Sequence, residues 1–271
     1  MNLSDDAAAA LAAEFDAAER QRSQIRAASL RHPGLTLADG YRIQSAWVDL
    51  RLARGERVVG HKIGLTSRAM QMAVGIDMPD YGVLTDAMVI DDGATIAPDR
   101  FISQRFEVEL GFWLKAPLAG PNLTVVDVLN ATDWIVPAIE VIDSRAHLRD
   151  PDTGAVLSVA DSIADNALNA GVIWGGRPVR PGEIDLRYVP GILIKNGKVE
   201  ETGVSAGVMG HPATGIVWLA RELNKVGASL AAGEFVLSGS FTRPVAAGPG
   251  DTIACDFGPL GQVCCSVGRA D

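Results

Sequence analysis

From Val58 onward the chain is a succession of short β-prone runs, "VVGHKIGL", "VLTDAMVI", "FEVELGFWL", "WIVPAIEVI", "AGVIWGG", "GILIKNGKVEE", "EFVLSG", "TIACDFG" and "QVCCSV", separated by Gly, Pro and Asp. Few helix-length segments intervene. That pattern predicts an α+β chain with a mixed β core and argues against a doubly wound or TIM-type sheet. Within it, Asn196 and Gly197 in "ILIKNGKVEE" supply the positive φ angles of a type I′ hairpin turn. The opening is different in character. Ser4 can cap a first helix, and Thr36 a second that runs through "LADGYRIQSAWVDLRLARG" to a stop near Gly55. A later helix is expected over "HPATGIVWLARELNKVG", with Pro212 near its start and Gly227 past its end. The expected organisation is an N-terminal helical region over 1–56 and one compact catalytic region over 57–271.

The run "RFEVE" at 105–109 places Glu107 and Glu109 two positions apart in an apolar strand. Residues at i and i+2 of a strand share a face, so the two carboxylates lie side by side while Phe106, Val108 and Leu110 take the other face. A third carboxylate, Glu140, stands in apolar company in "WIVPAIEVIDSR". Burying ionised carboxylates without a partner is costly. Three of them without a Cys or His pattern suit a hard divalent ion such as Mg²⁺ or Mn²⁺. The competing reading is a solvated strand face, or pairing with Arg105 and Arg145.

Other stretches can carry chemistry. In "GHKIGLTSRAM" Lys62 ends a β-rich run and could aim its ammonium at an anionic substrate, or be a surface lysine; Thr66 could cap a short helix. In "IDMPDYGVLTD" Pro79 and Gly82 predict a turn presenting Asp80, a candidate general base or a turn former. His32, His61, His147 and His211 have no metal-ligand spacing, and no nucleophile elbow, Walker loop or dinucleotide fingerprint accompanies them. Cys255, Cys264 and Cys265 have no framework spacing and read as small core hydrophobes.

A net charge of −9 over 271 residues gives no support for nucleic-acid or anionic-membrane binding. No apolar run reaches the ~18 residues of a membrane span, and the acidic start does not look like a signal peptide, so a cytoplasmic protein is expected.

Taken together, "GHKIGLTSRAMQ", "DMPDYGVLTDAM", "RFEVELGF", "PAIEVIDSR", "DSIADNALNAG" and "LSGSFTRPV", in this order and spacing, resemble the hydratase and decarboxylase branch of the fumarylacetoacetate hydrolase superfamily, over roughly residues 37 to 268. The resemblance implies a mixed β-roll core with N-terminal helices. It implies that Glu107, Glu109 and Glu140 bind a divalent metal, usually Mg²⁺, with Mn²⁺ as the alternative. Lys62 and Asp80 match substrate-binding and acid/base positions, and Ser162 and Asn166 match polar positions near the pocket. "RFEVEL" departs from the commoner "PRVEVEL" at Phe106, on the face away from the metal.

The implied activity is metal-dependent hydration of a 2-hydroxy-2,4-dienoate or its 2-oxo-4-enoate form in aromatic meta-cleavage catabolism. A seven-carbon dioate is the expected substrate. A five-carbon dienoate, or decarboxylation of a 2-oxo-3-enedioate (4-oxalocrotonate), is the alternative. A second carboxylate needs its own cation, and Arg243 in "SFTRPV" is the candidate, beside a structural role for it at that turn. The resemblance also implies a homo-oligomer, in rings of five or ten. From another class, a non-catalytic metal or oxo-acid binding subunit is the alternative.

Overall fold

The structure, a computed structural model, describes residues 3–68, 71–72 and 75–270. Its opening is helical: α1 (Asp5–Gln21), α2 (Ala28–Arg31) and α3 (Leu37–Ala53). Ser4 caps α1 through the Ala7 N–H, and Thr36 caps α3 in a reciprocal box with Asp39. The strands follow as β1 (Val58–Gly64), β2 (Asp80–Thr85), β3 (Val89–Ile90), β4 (Thr95–Ile96), β5 (Arg105–Leu114), β6 (Thr132–Ile142), β7 (Asn169–Trp174), β8 (Pro190–Lys195), β9 (Lys198–Val204), β10 (Phe235–Leu237), β11 (Val245–Ala246), β12 (Thr252–Asp256) and β13 (Gln262–Val267). Between them lie α4 (Val125–Ala131), α5 (Val159–Ala164) and α6 (Pro212–Lys225).

The strands form two sheets. The larger runs β2-β1-β10-β5-β6-β7-β3, with β11 added on β5; the smaller runs β4-β13-β12-β8-β9. Parallel and antiparallel pairs coexist in both, as in β1 with β10 and β5 with β6. The architecture is therefore mixed α+β. The β8–β9 hairpin turns at Asn196 (φ 52°) and Gly197 (φ 74°), as the Asn-Gly pair predicts.

Strand β5 divides its side chains between two cores. Phe106, Val108, Leu110 and Phe112 are fully buried against Leu193, Ile253, Cys255 and Phe257 of the smaller-sheet layer. The opposite side of the larger sheet packs on the helices, where Leu11, Phe15, Ile43 and Trp47 meet Val136, Ala138, Phe235 and Leu237. The helices of 1–56 thus share a core with the sheet. In register, Glu107 faces Glu140 and Glu109 faces Ala138, which puts all three glutamates on the helix-covered side.

Two expectations are corrected here. Asp80 is not in a turn: it opens β2, opposite Gly64, and Gly82 lies within the strand, where a side chain would collide with the Asn166 carbonyl. Cys255 and Cys265 are buried, but Cys264 is exposed on the alternate face of β13. The short helix expected after Thr66 falls in part on residues outside those described.

Candidate metal centre

Glu107, Glu109 and Glu140 each offer a carboxylate oxygen within 4.8 Å of the others. Two adjacent antiparallel strands produce this cluster, Glu107 and Glu140 by direct cross-strand pairing and Glu109 by the i+2 step. Two of the three carboxylates are held by hydrogen bonds. The Asn169 Nδ2 amide donates to Glu140 Oε1 at 2.7 Å, and the Gly239 N–H donates to Glu109 Oε2 at 2.9 Å. Gly239 adopts φ +113°, and a Cβ there would overlap Thr66, so the turn after β10 delivers its amide only as glycine.

The electrostatics show what the cluster lacks. Burial, the Glu140 charge and other acids push the Glu107 carboxyl up to about 8, with Lys62 opposing. Glu109 is raised well above the carboxylate range by burial and by Glu140 and Glu107, against the Gly239 hydrogen bond. Lys62 is buried with its Nζ 3.6 Å from Glu140 Oε1. Burial opposes its charge, but Glu140, Asp80, Glu107 and Glu109 outweigh it and hold the ammonium. Asp80 is raised by burial, which Lys62 only partly offsets, and its Oδ1 has no hydrogen-bond partner. Gly64 makes this contact possible, since a Cβ would stand 2.2 Å from Asp80 Oδ1 and 2.9 Å from Lys62 Nζ. Three all-oxygen ligands on rigid strands, an excess of buried negative charge and an orphaned carboxylate oxygen fit a hard divalent cation.

These groups line a cavity of about 210 Å³ whose further walls include Arg105, Ile142, Leu148, Ser162, Leu168, Ser240, Thr242 and Pro244. The reading as solvated groups does not hold for Glu109, Glu140 and Lys62, which are at most 4% exposed, while Glu107 is half-buried. Arg145 does not pair with the cluster either. It is buried on Asp165, its Nη1 donates to the Asn169 carbonyl, and it so braces the residue that holds Glu140. Asp165 is pushed up to about 7 by burial, against Arg145.

Two sequence candidates lie elsewhere. The Asn166 side chain pairs with the backbone N–H and C=O of Val83 at 2.8 and 2.9 Å, so it fixes a loop and leaves the cavity wall to its neighbours Ala167 and Leu168. Asn166, Ala167 and Leu168 all have left-handed φ of 50–63°, a strained turn for non-glycine residues that the buried amide secures. Arg243 leaves the cavity: Thr242 and Pro244 line it, while the Arg243 guanidinium is 80% exposed on Glu201 at 2.6 Å. Sequence reasoning missed Asn169 and the Gly239 amide as supports of Glu140 and Glu109, and Arg105 as part of the cavity wall; only Arg105 carried a signal, its i−2 spacing from Glu107.

With this geometry in view, the chain belongs to the fumarylacetoacetate (FAA) hydrolase family, whose C-terminal domain model matches residues 58–268. It is 52% identical over 255 residues to the 2-oxo-hept-4-ene-1,7-dioate hydratase of Escherichia coli, covering 94% of this chain and 96% of that protein. It is 37% identical over 254 residues to the 4-oxalocrotonate decarboxylase of Pseudomonas putida, covering 94% of each. The solved 4-oxalocrotonate decarboxylase from Pseudomonas putida G7, complexed with magnesium and adipate, superposes with a TM-score of 0.93 at 34% identity, covering 98% of this chain and 99% of that one.

Proposed function

We propose that the chain is a Mg²⁺-dependent hydratase that adds water to 2-oxohept-4-ene-1,7-dioate to give 4-hydroxy-2-oxoheptane-1,7-dioate. The carrying observation is the half-buried Glu107 and the buried Glu109 and Glu140 clustered with Lys62 and Asp80 on one cavity. The 52% identity to a hydratase of that substrate and the relative solved with magnesium support it. Mg²⁺ is preferred over Mn²⁺ because the relative's structure holds magnesium.

Glu107, Glu109 and Glu140 would hold the ion, which supplies Lewis-acid polarisation of a 2-oxo carboxylate when bound. Lys62 balances the charge that three glutamates leave over a divalent cation and faces the developing enolate. Asp80 presents the unpaired Oδ1 beside Lys62, and burial favours its taking up a proton, so it is placed to move one along the conjugated chain or to orient water. Net chemistry moves one proton from C3 to C5 and then adds water across C3 and C4. Leu168, Ile142 and Leu148 keep the carbon chain in an apolar channel, and Ser162 adds a hydroxyl to its wall.

The test follows loss of conjugated dienoate absorbance with added Mg²⁺, with product mass showing gain of one water. Carbon dioxide release without that gain would establish the second reading, decarboxylation of a 2-oxo-3-enedioate, which the TM-score of 0.93 to a decarboxylase favours. No change with either substrate class would leave a non-catalytic binding subunit.

The reading includes self-assembly into a homo-oligomer, in rings of five or ten. The open edge of β9, with Val199 and Val204 exposed beside Tyr188, supports it. Light scattering on the eluted protein at monomer mass would refute it. No described helix is long and apolar enough to cross a membrane, which suits a cytoplasmic enzyme.

A further inference from the structure

The cavity wall holds two cationic side chains, Lys62 and Arg105, in unequal positions. Lys62 is committed to Glu140 and its neighbours. Arg105 is half-buried and, among the described residues, makes no side-chain hydrogen bond or ion pair. Its charge is felt only as a weak pull on Glu107. Its place on β5 is one i−2 step from Glu107 on the ligand face, and it pairs in register with Ile142, another wall residue.

We infer that Arg105 is the specificity-determining residue for the far carboxylate of a dicarboxylic substrate. This rests on the proposed hydratase reading, in which the 2-oxo acid end lies at the glutamates. One i to i+2 strand step covers about 7 Å. Five extended carbon–carbon bonds of ~1.5 Å, the path from C2 to C7, cover about 6 Å. A seven-carbon dioate anchored at Glu107 therefore brings its second carboxylate to the level of Arg105. Ile142, Pro244 and Thr242 share that part of the wall with it, so a carboxylate arriving there meets a forked donor that no other side chain occupies. A five-carbon monocarboxylate ends short of it.

The experiment measures kcat/KM for 2-hydroxyhepta-2,4-diene-1,7-dioate and 2-hydroxypenta-2,4-dienoate in wild type, Arg105→Met, Arg105→Lys and Arg243→Ala. Calorimetry of 2-oxoheptanedioate against 2-oxopentanoate on the Mg²⁺-loaded protein runs alongside. Wild type should favour the dioate in both assays, and Arg105→Met should reduce that ratio by about 10- to 100-fold. Arg105→Lys should recover part of it, and Arg243→Ala should leave the ratio as in wild type. An unchanged ratio in Arg105→Met overturns the inference, as does an equal loss on both compounds with weakened Mg²⁺ binding, which would make Arg105 a support for Glu107. Hydration of both dienoates with no wild-type preference sinks Arg105 alone. Absence of hydration with a binding preference that Arg105→Met removes would sink the hydratase reading and keep Arg105.

Discussion

At the scale of the residue, the cluster of carboxylates is an unfavourable arrangement that one cation resolves. Glu107→Gln, Glu109→Gln and Glu140→Gln should each abolish turnover and weaken Mg²⁺ binding in calorimetry while leaving the circular dichroism spectrum intact; wild-type affinity in two of the three would refute the ligand set. The pH dependence has a definite sign. Glu107 is pushed up to about 8 in the folded chain, so between the usual carboxylate range and that value the metal-free fold binds more protons than the unfolded chain. Stability of the metal-free protein should therefore fall as pH rises through this window. Thermal melts in chelator from about pH 5 to about pH 9 should show that slope, flatter in Glu107→Gln and flatter with Mg²⁺ present. Lys62→Met should lower kcat/KM by about 100-fold, near 2.7 kcal/mol, with metal still bound. Normal kinetics in that variant would remove Lys62 from the chemistry. These residues were legible in sequence because a charged i, i+2 pair in an apolar strand demands a reason. For Arg243 the sequence leaves a carboxylate partner and a structural role both open, because it does not say which of Thr242, Arg243 and Pro244 turns inward, and here the arginine turns out to Glu201.

At the scale of the element, the site depends on two turns at strand ends, the one after β10 that carries the Gly239 amide and the one that leads into β7. The loop between α5 and β7 is locked by Arg145 on Asp165, by the Arg145 bond to the Asn169 carbonyl, and by Asn166 on Val83. Removing one partner of a buried ion pair leaves the other charge uncompensated. Asp165→Ala should accordingly cost about 3–5 kcal/mol in urea unfolding and also weaken Mg²⁺ binding through Asn169 and Glu140. A stability loss with full metal affinity would show the brace to be structural only. Strand positions and the Asn196-Gly197 hairpin could be read from period-two patterns and turn chemistry. The strained turn of Asn166, Ala167 and Leu168 could not, because only the first of the three is a residue type that favours left-handed backbone. Its conformation is imposed by contacts distant in sequence.

At the scale of the whole molecule, the two faces of the larger sheet have separate tasks. One face seals against the smaller sheet through Phe106, Val108, Leu110 and Phe112; the other carries the glutamates and is covered by the N-terminal helices. Saturating Mg²⁺ at ~100-fold over its Kd should stabilise the fold by about 2.7 kcal/mol, a rise of several degrees in Tm; no rise would mean that the cluster does not hold the ion. The mixed fold was readable from the order of β-prone runs, whereas the side the helices would cover depended on how the sheets stack. Helices α1 and α3 lie before residue 58, where the family match begins, yet they pack on the carboxylate-bearing side of the sheet. The cavity lining begins only at Lys62, so these helices act as a buttress: a substitution in α1 or α3 reaches the ion through the stiffness of the sheet and not through the cavity wall.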